Sequence, residues 1–146
     1  MKTIGYLNFD GNCREAMAFY AKCLGAELMV MPFSESPGDI PKEAKDRVMH
    51  SKLDKGGETL LMASDTMPGM AFKQGSNFSV SVHCESQPEI DGVFASFSDG
   101  GKVTMPLQDT FWGARFGMLT DRFGVNWMFN YEKLRTAPSA PESSGT

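Results

Sequence analysis

The sequence predicts a single α+β domain built from two βαβββ modules. Two amphipathic helical patterns each follow a strand-like segment, and each is followed by strand patterns that end in a hairpin. The same order of elements occurs in both halves of the chain. A repeat of this length exceeds the unit of a solenoid, so it indicates a duplicated module. The 146 residues suffice for one hydrophobic core without disulfides or a structural metal.

The first module covers about residues 2–66. Residues 3–9 alternate between apolar and polar side chains, which predicts a strand. Asn12 and Glu15 have the spacing of a capping box, so a helix is expected to begin there and to end at Gly25. Its apolar stripe comprises Cys13, Met17, Tyr20 and Leu24.

Three further strands are predicted in the first module, at residues 27–31, 47–53 and 58–64. The Asp-Lys-Gly-Gly sequence at 54–57 predicts the hairpin turn between the last two. Residues 33–45 are rich in Pro, Ser and Glu. Two interpretations of this segment stay open, a mobile flap over a cavity and a solvated surface loop.

The second module covers about residues 77–132 and begins with a strand at 78–83. Ser86 and Glu89 form a second capping box, and the helix they begin is expected to end at Asp99. Its apolar stripe comprises Ile90, Val93, Phe94 and Phe97. Setting Asp54 against Asp121 and Gly57 against Gly124 aligns the two hairpins, apart from one residue of slack before Asp121. Residues 136–146 have little to bury and are expected to form a disordered tail after a domain at 1–132.

Charge and composition restrict the partners and the location. The net charge is −4 and there is no basic stripe, so nucleic acid is not expected as a partner. No apolar stretch reaches the roughly 18 residues of a membrane span, which predicts a cytoplasmic protein with no membrane partner. Cys13, Cys23 and Cys84 are odd in number and lack paired spacing, so we expect reduced thiols and neither disulfides nor a zinc ribbon.

Strand alternation divides the side chains into two sets, because successive residues point to opposite faces of a sheet. The more apolar set is expected to lie under the helices and comprises Val80, Val82, Leu60, Met62, Trp127, Phe129, Met49, Ser51, Leu53, Phe116, Met118 and Thr120. The opposite set is mixed and suits the concave wall of a pocket. It comprises Ser79, Ser81, His83, Thr59, Leu61, Asn126, Met128, Asn130, His50, Arg115 and Gly117.

Several motifs resemble one known family. They are GNCREAMAFYAKCLG at 11–25, VMHSKL at 48–53, LMASD at 61–65, FWGARFG at 111–117 and DRFGVNW at 121–127. Together they resemble PhnB-like proteins of the glyoxalase/bleomycin resistance/dioxygenase (vicinal oxygen chelate) superfamily. The resemblance spans about residues 2–132. It implies curved mixed sheets, modules that wrap a cavity, and a homodimer.

The resemblance does not extend to the superfamily's metal site. Metal-dependent members place His or Glu on the first and last strands of each module, and the matching residues here are Gly5, Leu61, Ser79 and Met128. Divalent ions in proteins take carboxylate, imidazole or thiolate ligands, so no metal and no other cofactor is expected. The chain also lacks a Gly-rich turn for a nucleotide and a Gly-x-Ser-x-Gly elbow.

Six residues are candidates for binding a substrate: Trp112, Arg115, His50, Ser79, Asn126 and Met128. Trp112 offers stacking and Arg115 offers recognition of an anion, although both also suit packing of the loop. His50 is either a contact in the pocket or a hydrogen-bonded structural group. Because parity places Arg115 with His50, both are expected to face the pocket. His83 is expected to be exposed at the end of its strand.

Two hypotheses for the function remain. The first is a metal-independent dimer that binds a small molecule. The alternative is a lyase, an isomerase or a dioxygenase-like enzyme, with a metal relocated to His50 and His83 or with a histidine acting as acid and base. The identity and charge of the ligand stay open, as does the question whether the protein is an enzyme.

Overall fold

A computed structural model describes residues 1–133, so the predicted tail at 136–146 lies outside the described residues. The elements follow the predicted order: β1 (Tyr6–Phe9), α1 (Cys13–Leu24), β2 (Glu27–Pro32), β3 (Val48–Lys55), β4 (Glu58–Asp65), β5 (Ser79–Cys84), α2 (Gln87–Ser98), β6 (Lys102–Asp109), β7 (Ala114–Thr120) and β8 (Asn126–Glu132). Two mixed sheets and two helices confirm the α+β class. The chain forms two compact units, Met1–Gly75 and a second from Ser76. That the two units form one domain stays a prediction.

The first unit is a four-stranded sheet in the order β1-β4-β3-β2. β1 runs parallel to β4, and the other neighbours are antiparallel. One face of the sheet is covered by α1, whose Met17 and Tyr20 are fully buried. The helix ends at Gly25, as predicted, because that residue takes the left-handed conformation that closes a helix.

The predicted capping box of α1 was wrong, because Asn12 makes no side-chain cap hydrogen bond. The backbone N–H groups of Gly11 and Cys13 instead donate to the Asp65 carboxylate, at 2.8 and 3.0 Å. Asp65 lies at the end of β4 and also accepts from the N–H of Val48 at 2.9 Å. A buried carboxylate distant in sequence therefore caps the helix.

The second unit repeats this arrangement with the strand order β5-β8-β7-β6. The capping box of α2 is confirmed, because Ser86 Oγ accepts from the N–H of Glu89 at 3.2 Å. The helix packs on the sheet through aromatic side chains, with ring centroids of Phe97 and Trp127 4.4 Å apart. Burial of Trp127 and Phe129 confirms the predicted faces of β8.

The predicted faces of β4 were wrong. Leu61 and Ala63 are buried towards α1, while Leu60 is 39% exposed and Met62 is half-buried on the opposite face. Both sets of side chains are apolar, so hydrophobicity alone does not distinguish them. The buried Asp65 completes the helix-facing set and makes it look polar.

The predicted faces of β7 were wrong as well. Gly117 faces α2, where a Cβ atom would lie only 2.9 Å from Phe94 Cε1. The larger Phe116 and Met118 are half-buried on the opposite face. A small residue is needed under the helix because the backbone of β7 approaches it closely, so side-chain size indicated the wrong face.

The segment at 33–45 forms two short 3₁₀ turns, Phe33–Glu35 and Lys42–Ala44. The N–H of Phe33 donates to Arg47 O at 3.0 Å, and Ala44 is fully buried. The two ends of the segment are thus held together. In residues 1–133 no helix has the length and apolar character needed to cross a membrane.

Candidate functional site

Each sheet has one face turned away from the helix of its own unit, which we call the open face. On β3, Ser51 and Leu53 are buried towards α1, so His50 and Lys52 point the other way. The first open face carries Tyr6, Asn8, Met29, Met31, His50, Lys52, Leu60, Met62 and Ser64. This confirms the predicted direction of His50.

Tyr6 and His50 form a pair on the first open face. The Tyr6 hydroxyl lies 3.1 Å from His50 Nδ1, and the two rings stack with centroids 5.8 Å apart. Sequence reasoning missed Tyr6, because 44 residues separate it from His50. The one signal for it was the alternation of β1, which puts Tyr6 opposite the buried Leu7 and Phe9.

The second open face carries a row of methionines across three strands. Met128 pairs with Met118, and Met118 pairs with Met105. Flexible thioethers adapt to ligands of varied shape. Beside this row Ser79 neighbours Asn126, whose Oδ1 accepts from Thr120 Oγ1 at 2.7 Å. Ser79, Asn126 and Met128 therefore lie together, as their strand parity predicts.

A cavity of about 410 Å³ opens at the carboxyl ends of β5 and β8. It is lined by His83, Cys84, Glu85, Asn130, Tyr131, Glu132 and Lys133. His83 is exposed, as predicted, and its Nε2 lies 3.1 Å from Ser81 Oγ. Because His83 and Asn130 are cross-strand neighbours, they belong both to the cavity and to the second open face.

Arg115 lies on the helix-covered face of β7, so the prediction that it shares a face with His50 was wrong. Its Nε donates to Asp91 of α2 at 2.9 Å, and its Nη1 donates to Asp109 at 3.2 Å. The hydrogen bonds that Arg115 donates, first to Asp91 and then to Asp109, raise the pKa of Arg115. The guanidinium therefore links α2 to β6 and β7, and because both carboxylates pair with it, its charge is not left unpaired under the helix.

Trp112 stands in the turn between β6 and β7 and is 62% exposed. It meets Phe111, which is 96% exposed, edge to face at 5.0 Å. The turn itself is held by the N–H of Thr110, which donates to Ala114 O at 2.8 Å. A rigid turn thus presents two aromatic rings to solvent.

The side chains that could hold a metal are scattered. Among residues 1–133, no group of three or more His, Cys, Asp or Glu is placed to hold an ion. Leu61, one of the matched ligand positions, lies on the helix-covered face of its sheet.

Burial raises the pKa of Cys13 to about 11, so this thiol is neutral and stays in contact with Ser51 Oγ at 3.6 Å.

Comparison with known families identifies the relatives of this chain. A family model described as 3-demethylubiquinone-9 3-methyltransferase matches residues 1–129. The chain belongs to this family. It is a PhnB-like protein, as the motifs of the helix and the two hairpins indicate. The resemblance inferred from the sequence is thereby confirmed.

Relatives of high similarity cover almost the whole PhnB-like chain. Protein YjdN of Escherichia coli K12 is 36% identical over 143 residues, covering 88% of this chain and 93% of YjdN. The structure of PA1353 from Pseudomonas aeruginosa is 44% identical, with a TM-score of 0.81 over 90% of this chain and 98% of that one. The PhnB protein of Bacillus cereus is 29% identical, with a TM-score of 0.71 over 90% and 99%. Glyoxalase/bleomycin resistance/dioxygenase proteins of lower identity share the fold alone.

Proposed function

We propose that this PhnB-like protein binds a small molecule against the open faces of its sheets, without the superfamily's metal. The observation that carries the proposal is the composition of these faces. Each combines methionine side chains with a few hydrogen-bonding groups, as in the row Met128, Met118 and Met105 beside Ser79 and Asn126. Ligand sites typically pair an adaptable apolar surface with a small number of polar contacts that orient the ligand.

The residues at the superfamily's metal positions support the metal-independent part of the proposal. Ser79 and Met128 supply a hydroxyl and a thioether, and Gly5 and Leu61 supply no donor side chain. Hard and borderline divalent ions bind such groups weakly. The donor set therefore does not fit the ion that polarises oxygens in metal-dependent relatives.

The family name describes a methyltransferase, which would need a site for a nucleotide methyl donor. Nucleotides are commonly held where a strand turns into a helix, by backbone N–H groups left free at the helix start. In this chain Asp65 occupies the N–H groups before α1, and Ser86 occupies that of Glu89 in α2. The residues at both turns do not fit such a donor, and we assign no step to one.

We also propose a cytoplasmic homodimer. None of Cys13, Cys23 and Cys84 takes part in a disulfide, which is typical of a reducing compartment. Phe111 and Trp112 are the aromatic side chains most exposed in residues 1–133. Exposed aromatic pairs of this kind mark surfaces that other molecules cover.

The binding proposal is tested by metal analysis of the purified protein and a thermal-shift screen of small molecules. A ligand that binds only the native state raises the melting temperature. At a ligand concentration a hundred times its Kd, the free energy of unfolding increases by about 2.7 kcal/mol. We expect hits, no stoichiometric metal, and weaker hits in Asn126→Ala. Ser96→Ala, on the exposed side of α2, serves as the matched control. One tightly held metal per chain, or a library without any stabilising compound, would contradict the proposal.

A second candidate, an acid–base enzyme, is favoured by the contact between Tyr6 and His50. A phenol and an imidazole within hydrogen-bond distance can pass a proton to and from a bound substrate. NMR of each hit after incubation with the protein tests this candidate. We then expect chemical change of a hit, and loss of that change in His50→Gln. Hits that stay chemically unchanged would leave binding as the function.

A further inference from the structure

The position of the Tyr6–His50 pair places it among the polar side chains of the first open face. Ser51 pairs with Ala63, so His50 lies beside Ser64, which in turn pairs with Asn8 of β1. Tyr6 is two residues from Asn8 on the same side of β1. Four hydrogen-bonding side chains from three strands therefore point outward at one end of the sheet.

The pair always keeps a proton to donate. A neutral tyrosine and a neutral histidine hold one O–H and one N–H between them, and their mutual contact at 3.1 Å uses one of the two. Whichever tautomer is present, one donor remains for a third group.

The charges around the pair allow an anion. Asp10, beyond Asn8, is held by Arg47 at 2.9 Å. Asp54 lies four residues from His50, about 13 Å along the strand, and so beyond the Debye length of roughly 8 Å. Asp54 also accepts from Thr59 Oγ1 at 2.7 Å, so the Lys52 ammonium, 3.4 Å away, can turn towards His50 without leaving Asp54 unpaired.

Apolar side chains flank the polar end of the face. Met62 lies between Tyr6 and Lys52 in one cross-strand row, and Met29 pairs with Lys52 on its other side. Met31 pairs with His50, and both Met29 and Met31 are 36% exposed. A ligand with a charged head and an apolar body would meet both kinds of surface.

We propose that Tyr6 and His50 together bind the anionic oxygen of a small molecule whose apolar body rests on Met29, Met31 and Met62. This inference rests on the proposed function and names the class of its ligand, an aromatic or aliphatic carboxylate or phosphonate. Charge-assisted hydrogen bonds are about twice as strong as neutral ones, so the anion is selected over a neutral molecule of the same shape. Lys52, two residues from His50 on the same face, adds a cation once its ammonium turns from Asp54.

The test uses four probes of similar shape: benzoate, phenylphosphonate, benzamide and benzylamine. We expect one of the two anions to bind with the lowest Kd by calorimetry, and which of them does so distinguishes a carboxylate from a phosphoryl group. Tyr6→Phe keeps the stacked ring and removes only the hydroxyl, and His50→Gln removes the imidazole. Each variant is expected to raise the Kd of the anion roughly ten- to a hundredfold, which is typical of the loss of a hydrogen bond to a charged group.

Two control variants lie on the exposed sides of the helices, away from both open faces. Ser96→Ala removes a hydroxyl from α2, and Lys22→Gln removes a cation from α1. Both are expected to leave the Kd of the anion within about twofold. Equal binding of benzamide, an unchanged Kd in Tyr6→Phe and His50→Gln, or an equal loss in Lys22→Gln would overturn the assignment. If none of the four probes binds while other compounds stabilise the protein, this inference fails and the proposed function stands.

Discussion

At the scale of single residues, each unit depends on one buried aspartate. Asp65 accepts three backbone N–H groups, from Gly11, Cys13 and Val48. Asp121 accepts the N–H groups of Phe123 and Val125 and the indole N–H of Trp127. Buried polar groups of this kind stabilise the native state mainly because their partners would otherwise lose every hydrogen bond.

Asp65→Ala is expected to lower the free energy of unfolding by roughly 3 kcal/mol or more, since each orphaned buried N–H costs about 1–3 kcal/mol. Urea unfolding of the variant measures this loss. Asp39→Ala, in the exposed part of the 33–45 segment, is the matched control and should change stability by less than about 0.5 kcal/mol. A small effect at Asp65 would mean that water replaces the carboxylate.

The buried thiol of Cys13 makes stability depend on alkaline pH. Burial raises its pKa from the ordinary value of 9.0 to about 11, so between these values the unfolded chain loses a proton that the folded chain keeps. Stability should therefore fall as the pH rises from 9 towards 11, by up to about 1.4 kcal/mol per unit. Chemical unfolding of the wild type and of Cys13→Ala at pH 8, 9 and 10 isolates this contribution. Identical slopes in both proteins would contradict it.

The candidate site could be predicted only in part, residue by residue. Alternation placed His50, Ser79, Asn126 and Met128 correctly on the open faces, because each strand shows a clear difference between its two sets. The sequence did not predict that Tyr6 contacts His50. It also did not predict that Asp65 caps α1. Their contacts join residues 44 and 54 positions apart, and local patterns carry no information on such pairs.

At the scale of elements, helices and hairpins followed from the sequence, whereas the faces of two strands did not. Helix ends depend on local signals, such as Gly25 in the left-handed conformation and Ser86 as a cap. The face of a strand depends on what packs against it. Gly117 under Phe94 illustrates this, because the close approach of α2 requires the smallest side chain.

Arg115→Ala is expected to destabilise the protein by about 1 kcal/mol, because it removes the contacts between β7, Asp91 of α2 and Asp109. The partners are half exposed, which keeps the effect modest. A double-mutant cycle with Asp91→Ala should give a coupling energy of roughly 0.5 kcal/mol. Loss of ligand affinity in Arg115→Ala at unchanged stability would restore the original hypothesis of a binding residue.

At the scale of the whole molecule, the repeat that predicted the fold also describes the local chemistry of the two units. In the first hairpin Thr59 Oγ1 donates to Asp54, and in the second Thr120 Oγ1 donates to Asn126 Oδ1. Both bonds join cross-strand neighbours, Asp54 with Thr59 and Thr120 with Asn126. Thr120, and not Asp121, is therefore the structural counterpart of Asp54. The longer turn around Asp121 explains why aligning Asp54 with Asp121 leaves one extra residue in the second hairpin.

The proposed homodimer is best tested at Phe111 and Trp112, the two exposed rings in the turn between β6 and β7. Trp is among the residues that dominate binding energy at interfaces, and truncating such a residue typically costs 2 kcal/mol or more. The backbone hydrogen bonds of the turn involve neither ring, so replacing both side chains should spare the fold. A dimer that covers these rings would bury the two most exposed aromatic side chains of residues 1–133.

At micromolar concentration the wild type is expected to sediment as a dimer, and the double variant Phe111→Ser/Trp112→Ser is expected to sediment as a monomer. Its dimer Kd should rise at least tenfold, since 1.4 kcal/mol corresponds to a factor of ten. Phe78→Ser is the matched control, because Phe78 is 52% exposed but lies just before β5. Trp127 is buried, so quenching by acrylamide reports mainly on Trp112, and dilution of the wild type should increase it. If the double variant stays dimeric, the interface does not include Phe111 and Trp112. If the wild type is a monomer, the proposed homodimer is wrong.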